Sequence, residues 1–80
     1  MSYNLLILRP AARQLAALPP ESYLEMRDTI RALGADPLPP GAEKIEGKEG
    51  WRLHVGKHRL IYTVDRTAGS VTVVDVAPRV

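Results

Sequence analysis

Arg52, His54 and Arg59 are the residues whose types and spacing best suit chemistry in this sequence. They follow the pattern Arg-x-His-x(4)-Arg, inside a stretch from Gly50 to Val64 that holds no acidic residue. Lys44 and Lys57 stand near them as candidate phosphate contacts, and His58 shares the stretch. Arginine keeps its charge at any working pH and binds phosphate bidentately. An imidazole, with an unperturbed pKa of ~6.5, moves protons near neutrality. These groups fit the cleavage of an RNA phosphodiester. A base takes the 2′-OH proton, cations hold the charge of the five-coordinate phosphorane, and an acid protonates the 5′ leaving oxygen. The chemistry asks for no metal or other cofactor, and the sequence, with no cysteine and two histidines, offers no obvious ligand cluster.

A plainer reading stands beside this one. Antiparallel sheets commonly carry one solvated polar face, where arginine and histidine need no task. His58 and Lys57 fit a hairpin turn, and Trp51 and Tyr62 read as a cross-strand core pair rather than a stacking platform. Glu43 and Glu46 read as surface charges, and Arg9, Arg13, Arg27 and Arg31 as solvated groups or contacts for a partner.

The basic residues must be positioned by a hairpin. Trp51, Leu53 and Val55 alternate with Arg52 and His54, and Leu60, Tyr62 and Val64 alternate with Arg59, Ile61 and Thr63. Gly56-Lys57 is a two-residue loop with glycine first, as a type II′ turn requires. This turn predicts the pairs Val55–His58, Leu53–Leu60, Trp51–Tyr62, His54–Arg59 and Arg52–Ile61. Arg52, His54 and Arg59 then share one face while the apolar set packs on the other. A β-branched strand over residues 71–76 follows a turn at 65–69. If Val74 and Val76 face the core, alternation brings Arg79 to the basic face, barring a bulge near Pro78.

Upstream, residues 3–8 form an apolar run that reads as a strand buried on both faces. Pro10 opens a helix over 11–18, which Pro19-Pro20 ends. A second helix over 21–33 carries the stripe Tyr23, Met26, Ile30 and Leu33, with Gly34 as a left-handed cap. The short link makes the two an antiparallel hairpin, and residues 36–41 are loop. The expected class is α+β: an N-terminal strand, a helical hairpin, then three or four strands in an antiparallel-rich sheet with the helices on one face.

At 80 residues, 45% hydrophobic and 25% charged, the chain is expected to form one domain over 1–80. Arg9, Arg13, Arg27 and Arg31 are balanced by Glu21, Glu25, Asp28 and Asp36, so the net charge of +2 arises after residue 40. That is a local cationic site rather than a basic protein, and phosphate suits it. There is no disulfide framework, basic leader or membrane-length apolar run, so the expected compartment is the cytoplasm, with no membrane partner.

Three phrases resemble the RelE/ParE superfamily of toxins from bacterial toxin–antitoxin pairs. They are Ala11-Ala12-Arg13-Gln14-Leu15-x-x-Leu18-Pro19, then Lys44-Ile45-x-Gly47, then Trp51 through Tyr62, with Gly-x-x-Arg-Leu-Ile-Tyr the most specific part. Val76-Ala77-Pro78-Arg79 looks like the family's final strand and terminal arginine. The resemblance implies a metal-independent endonuclease that cuts mRNA in the ribosomal A site, with Arg52, His54, Arg59 and Arg79 as its site. It also implies a RelB-like antitoxin as partner, and operator DNA contacted only through that antitoxin. Members often add a tyrosine beyond the terminal arginine, whereas only Val80 follows Arg79 in this sequence; either the sequence is truncated or activity rests on His54. A glutamate before the hairpin serves as base in some relatives, which makes Glu43 the alternative. The ParE branch, which poisons DNA gyrase without cutting RNA, is the second function implied, and a catalytically weak ribosome or nucleic-acid binder the third.

Overall fold

A computed structural model describes residues 2–79. Its elements run β1 (Asn4–Ile7), α1 (Arg9–Ala16), α2 (Pro20–Leu33), β2 (Glu43–Lys44), β3 (Trp51–Val55), β4 (His58–Asp65) and β5 (Ser70–Pro78). The strands form one sheet in the order β1-β5-β4-β3-β2, with β1 parallel to β5 and the other neighbours antiparallel. The α+β expectation is met, and the fourth strand after the helices is the two-residue β2, too short to leave a periodic signal.

The core is the interface between the helices and one face of the sheet. Ala11, Met26, Ile30 and Leu33 pack there with Leu53, Val55, Leu60, Tyr62, Val71, Val73 and Val76. Burial every second residue along β3 and β4 follows from the pleat, which sends alternate side chains to opposite faces. Tyr23 leaves the predicted stripe: it lies in the first turn of α2 and is 37% exposed.

Two further expectations need correction. β1 is not buried on both faces, because it forms an edge strand and the helices cover one side of the sheet only. Leu5 packs against the core, whereas Leu6 is 53% exposed. Gly34 is not a left-handed cap; its φ of −63° and ψ of −32° continue the helical sense. The glycine provides room instead. The Tyr3 N–H donates to its carbonyl at 2.6 Å, and a Cβ would lie 3.2 Å from the Arg31 carbonyl oxygen and 3.4 Å from that of Tyr3.

The β3–β4 hairpin has the predicted register pair for pair: Trp51–Tyr62, Arg52–Ile61, Leu53–Leu60, His54–Arg59 and Val55–His58. Gly56 has φ +59°, and among the described residues no non-glycine has positive φ. A type I′ turn would need positive φ at Lys57 as well, so the turn chemistry is that of type II′.

β5 departs from simple alternation. Val71, Val73 and Val76 are buried, and Val74 is not. Tyr62 pairs with Val73 but Ile61 pairs with Asp75, which leaves Val74 as the extra residue of a β-bulge. The expectation that Val74 faces the core therefore fails, while Val76 does face it. The bulge lies ahead of Val76 rather than near Pro78, so residues 77 and 79 still fall on the open face.

Among the described residues no helix is long and apolar enough to cross a membrane.

Candidate functional site

The open sheet face is the surface without helices, and β3 and β4 set its cationic part. His54 lies directly opposite Arg59, and Arg52 directly opposite Ile61, which makes Arg52 and Arg59 diagonal neighbours. Diagonal partners on one face stand about 7–8 Å apart at their backbones, within reach of long side chains. Arg52 and Arg59 line one depression of about 400 Å³, floored by Ile61 and Val74 and flanked by Lys48. His54 is exposed beside it.

The two guanidinium groups are not ordinary solvated charges. The Nε atoms of Arg52 and Arg59 are both shut off from solvent, with no hydrogen-bond partner among the described residues. A buried donor without an acceptor is costly, on the order of 1–3 kcal/mol. Native proteins keep few such groups, and each one retained calls for an explanation, such as a catalytic role. Arg52 Nη2 comes within 3.9 Å of Glu43 Oε1, a loose ion pair between half-exposed groups. Glu43 pairs with Arg52 across β2 and β3, so its carboxylate belongs to the same face as the cations.

Arg79 extends this face towards the hairpin tip. Its backbone N–H donates to the Lys57 carbonyl at 2.9 Å, and its Nη1 donates to the Gly56 carbonyl at 3.4 Å. Lys57 is exposed in the turn. The register thus brings Arg52, His54 and Arg59 together, with Glu43 at one border and Lys57 and Arg79 at another.

Lys44 is not part of this group. It pairs with Trp51, whose neighbours Leu53 and Val55 alternate toward the helices, and its ammonium sits 5.4 Å from the Trp51 ring centroid. Alternation along β2 separates Lys44 from Glu43, and the aromatic ring gives the ammonium a cation–π partner instead. His58 lies off the face, as its predicted pairing with Val55 implies: it pairs with Val55 and Pro78 and borders a separate depression with Leu18 and Pro19.

Lys48 is a further cation at this depression, and no pattern in the sequence marks it. The Ile45 N–H donates to the Gly50 carbonyl at 2.9 Å and the Lys48 N–H to the Ile45 carbonyl at 3.3 Å, closing a loop that returns Lys48 towards Arg52. Glu46 and Glu49 beside it mask it in any reading by charge runs, and the bracketing Gly47 and Gly50 are the only hint of that return.

Among the described residues no group of three metal-ligating side chains converges.

The comparisons with known proteins agree on the fold. A family model described as the ParE toxin of the type II toxin–antitoxin system, parDE, matches residues 5–79. No curated protein sequence matches the chain significantly. The fold is similar to that of the archaeal RelE–RelB complex from Pyrococcus horikoshii, with TM-score 0.88, 25% identity, and coverage of 99% of this chain and 97% of that one. A RelBE toxin–antitoxin complex from Mycobacterium tuberculosis gives TM-score 0.87 at 23% identity, covering 99% of this chain and 100% of that chain. A YoeB/ParE toxin from Agrobacterium tumefaciens gives TM-score 0.81 at 16% identity, covering 96% and 99%.

Proposed function

Since this chain belongs to the ParE toxin family of type II toxin–antitoxin systems, we propose that it works in the cytoplasm as a ribosome-dependent mRNA endonuclease. The observation that carries this reading is the pairing of exposed His54 with Arg59 beside Arg52, on an uncovered face where both arginines hold an orphaned Nε–H. His54 acts as the base on the 2′-OH. The 2′ oxygen attacks phosphorus as the bond to the 5′ oxygen breaks, and the departing oxygen takes a proton from water, leaving a cyclic phosphate and a 5′ hydroxyl. Arg52 and Arg59 hold the extra negative charge of the phosphorane, and small rotations of their guanidinium groups would present Nε–H and Nη–H together to its oxygens. Arg79, Lys57 and Lys48 hold flanking phosphates. No metal is needed in this scheme, because the guanidinium charges supply the electrostatic stabilisation.

A RelB-like antitoxin is the proposed partner, and two of the similar structures are toxin–antitoxin complexes of RelE–RelB and RelBE. A segment combining acidic and apolar residues would complement both the cationic face and the exposed Leu6, Ile7 and Leu8. Operator DNA would be reached through that antitoxin.

One observation favours a second reading, inhibition of DNA gyrase without RNA cleavage: the family model matched is that of ParE. In vitro translation with primer extension, run beside a gyrase supercoiling assay, separates the two. Cuts in mRNA within the ribosome support the nuclease. Loss of supercoiling with no cut rejects it.

A further inference from the structure

Val71 and Val73 face the helices at the start of β5, yet after them it is Val76 that faces the helices. Strict alternation from Val73 would turn positions 75, 77 and 79 towards the helices and away from Arg59. The bulge at Val74 resets the phase, so that Ala77 pairs with Arg59 and the Arg79 N–H reaches the Lys57 carbonyl. One extra residue decides the face of everything that follows it.

A side chain from α1 holds this reset in place. Gln14 Oε1 accepts the Val76 N–H at 2.9 Å, and Gln14 Nε2 donates to Asp75 Oδ1 at 3.0 Å. β1 cannot do this, because its pairing with β5 ends at Ile7–Val73 and its last link is the Leu8 N–H to the Val73 carbonyl. Gln14 takes over the free edge of β5 where β1 stops. Among the described residues, Gln14–Asp75 is the one hydrogen bond between side chains of distant elements; the others join Arg27 to adjacent Asp28. Both bonds are half-buried, where loss of a partner is costly.

We propose that Gln14 is a positioning residue which, by clamping the β5 bulge, sets the sheet face and the place of Arg79. Arg79's task in holding phosphate rests on the nuclease reading above, but the clamp itself does not.

Hydrogen exchange by NMR on the full chain, combined with a charge swap, tests this. In Gln14→Glu a second carboxylate faces Asp75, and the Val76 and Arg79 amides should exchange about tenfold faster, with the Leu53 amide much less affected. Adding Asp75→Asn supplies a side-chain N–H to the new carboxylate at position 14, so the double variant should return both amides towards native rates. Binding of a single-stranded RNA oligonucleotide, titrated against salt, gives the second readout. Gln14→Glu should lower the salt slope by about 0.7, the share of one phosphate contact on a single strand, and the double variant should restore it. Unchanged exchange at Arg79 in Gln14→Glu overturns the proposal. So does faster exchange that Asp75→Asn does not reverse. A slope that stays fixed while exchange rises keeps the clamp and overturns only Arg79's task of holding phosphate. If the native chain binds no RNA, the nuclease reading fails on its own, and the exchange rates still decide the clamp.

Discussion

The Tyr62 hydroxyl donates to the Pro37 carbonyl at 2.8 Å, tying the proline-rich loop after α2 to the buried centre of the sheet. Tyr62 has no exposed surface, and its pKa is pushed from 10.0 up to about 12, chiefly by burial and further by the nearby negative charge of Asp36.

This tie makes stability depend on alkaline pH in a defined direction. An unfolded tyrosine ionises near pH 10, whereas folded Tyr62 waits until about 12. Between these values the unfolded chain gives up its proton first, so the contribution is complete below pH 10 and is lost as pH rises to 12. The loss should be on the order of 2 kcal/mol. Tyr62→Phe should cost about 1 kcal/mol at neutral pH through the orphaned carbonyl, and flatten the decline above pH 10. Denaturant melts across that range check both effects.

Truncation should separate buried from open-face leucines. Leu60 is fully buried, and Leu60→Ala should cost about 2–5 kcal/mol. Leu6→Ala, at an exposed edge position, should stay within about 0.5 kcal/mol of native. Thermal melts of the two variants that coincide would contradict the burial pattern of the sheet.

Arg59→Met keeps the apolar stem and removes both the charge and the orphaned Nε–H. Cleavage and RNA affinity should fall, with the salt slope lower by about 0.7. The melting temperature should hold or rise, because an unsatisfied buried donor has gone. A functional loss accompanied by an equal loss of stability would mean that Arg59 serves the fold instead.

His54 is tested by the shape of the pH–rate profile. With His54 as base, the rate should climb with pH and then level off. His54→Ala should abolish that limb, and His54→Lys should keep part of the activity through charge alone. His58→Ala should leave the profile as it was, since His58 stands off the face. A His54→Ala profile that titrates like native would pass the role of base to Glu43.

How much of this was legible depends on how local each determinant is. The pairing of His54 with Arg59 follows from a two-residue turn and a period of two, both contained in about a dozen residues. The burial of β1 was not legible, because an apolar run looks the same on an edge as in the middle of a sheet, and its neighbours come from far along the chain. Lys44 was misplaced for a similar reason: a two-residue strand shows no alternation from which to read a face. The bulge in β5 is the hardest case. Val71, Val73, Val74 and Val76 are chemically alike, so either phase of the strand is plausible by pattern. The choice is tied to Gln14, sixty-two positions from Val76, and no local window contains both.

The parallel pairing of β1 with β5 also orders events in time. Asn4–Ile7 finds its partners only at Ser70–Val73, so the strand made first is completed by the strand made last. Contacts that close so long a loop are entropically expensive and form late. During synthesis the hairpin of β3 and β4 can assemble from local contacts, while the backbone edge of β1 and the Leu5 side chain wait without their partners until β5 leaves the ribosome. The interval before β5 emerges is thus when a growing chain is most open to capture by chaperones, to proteolysis, or to sticking to another copy.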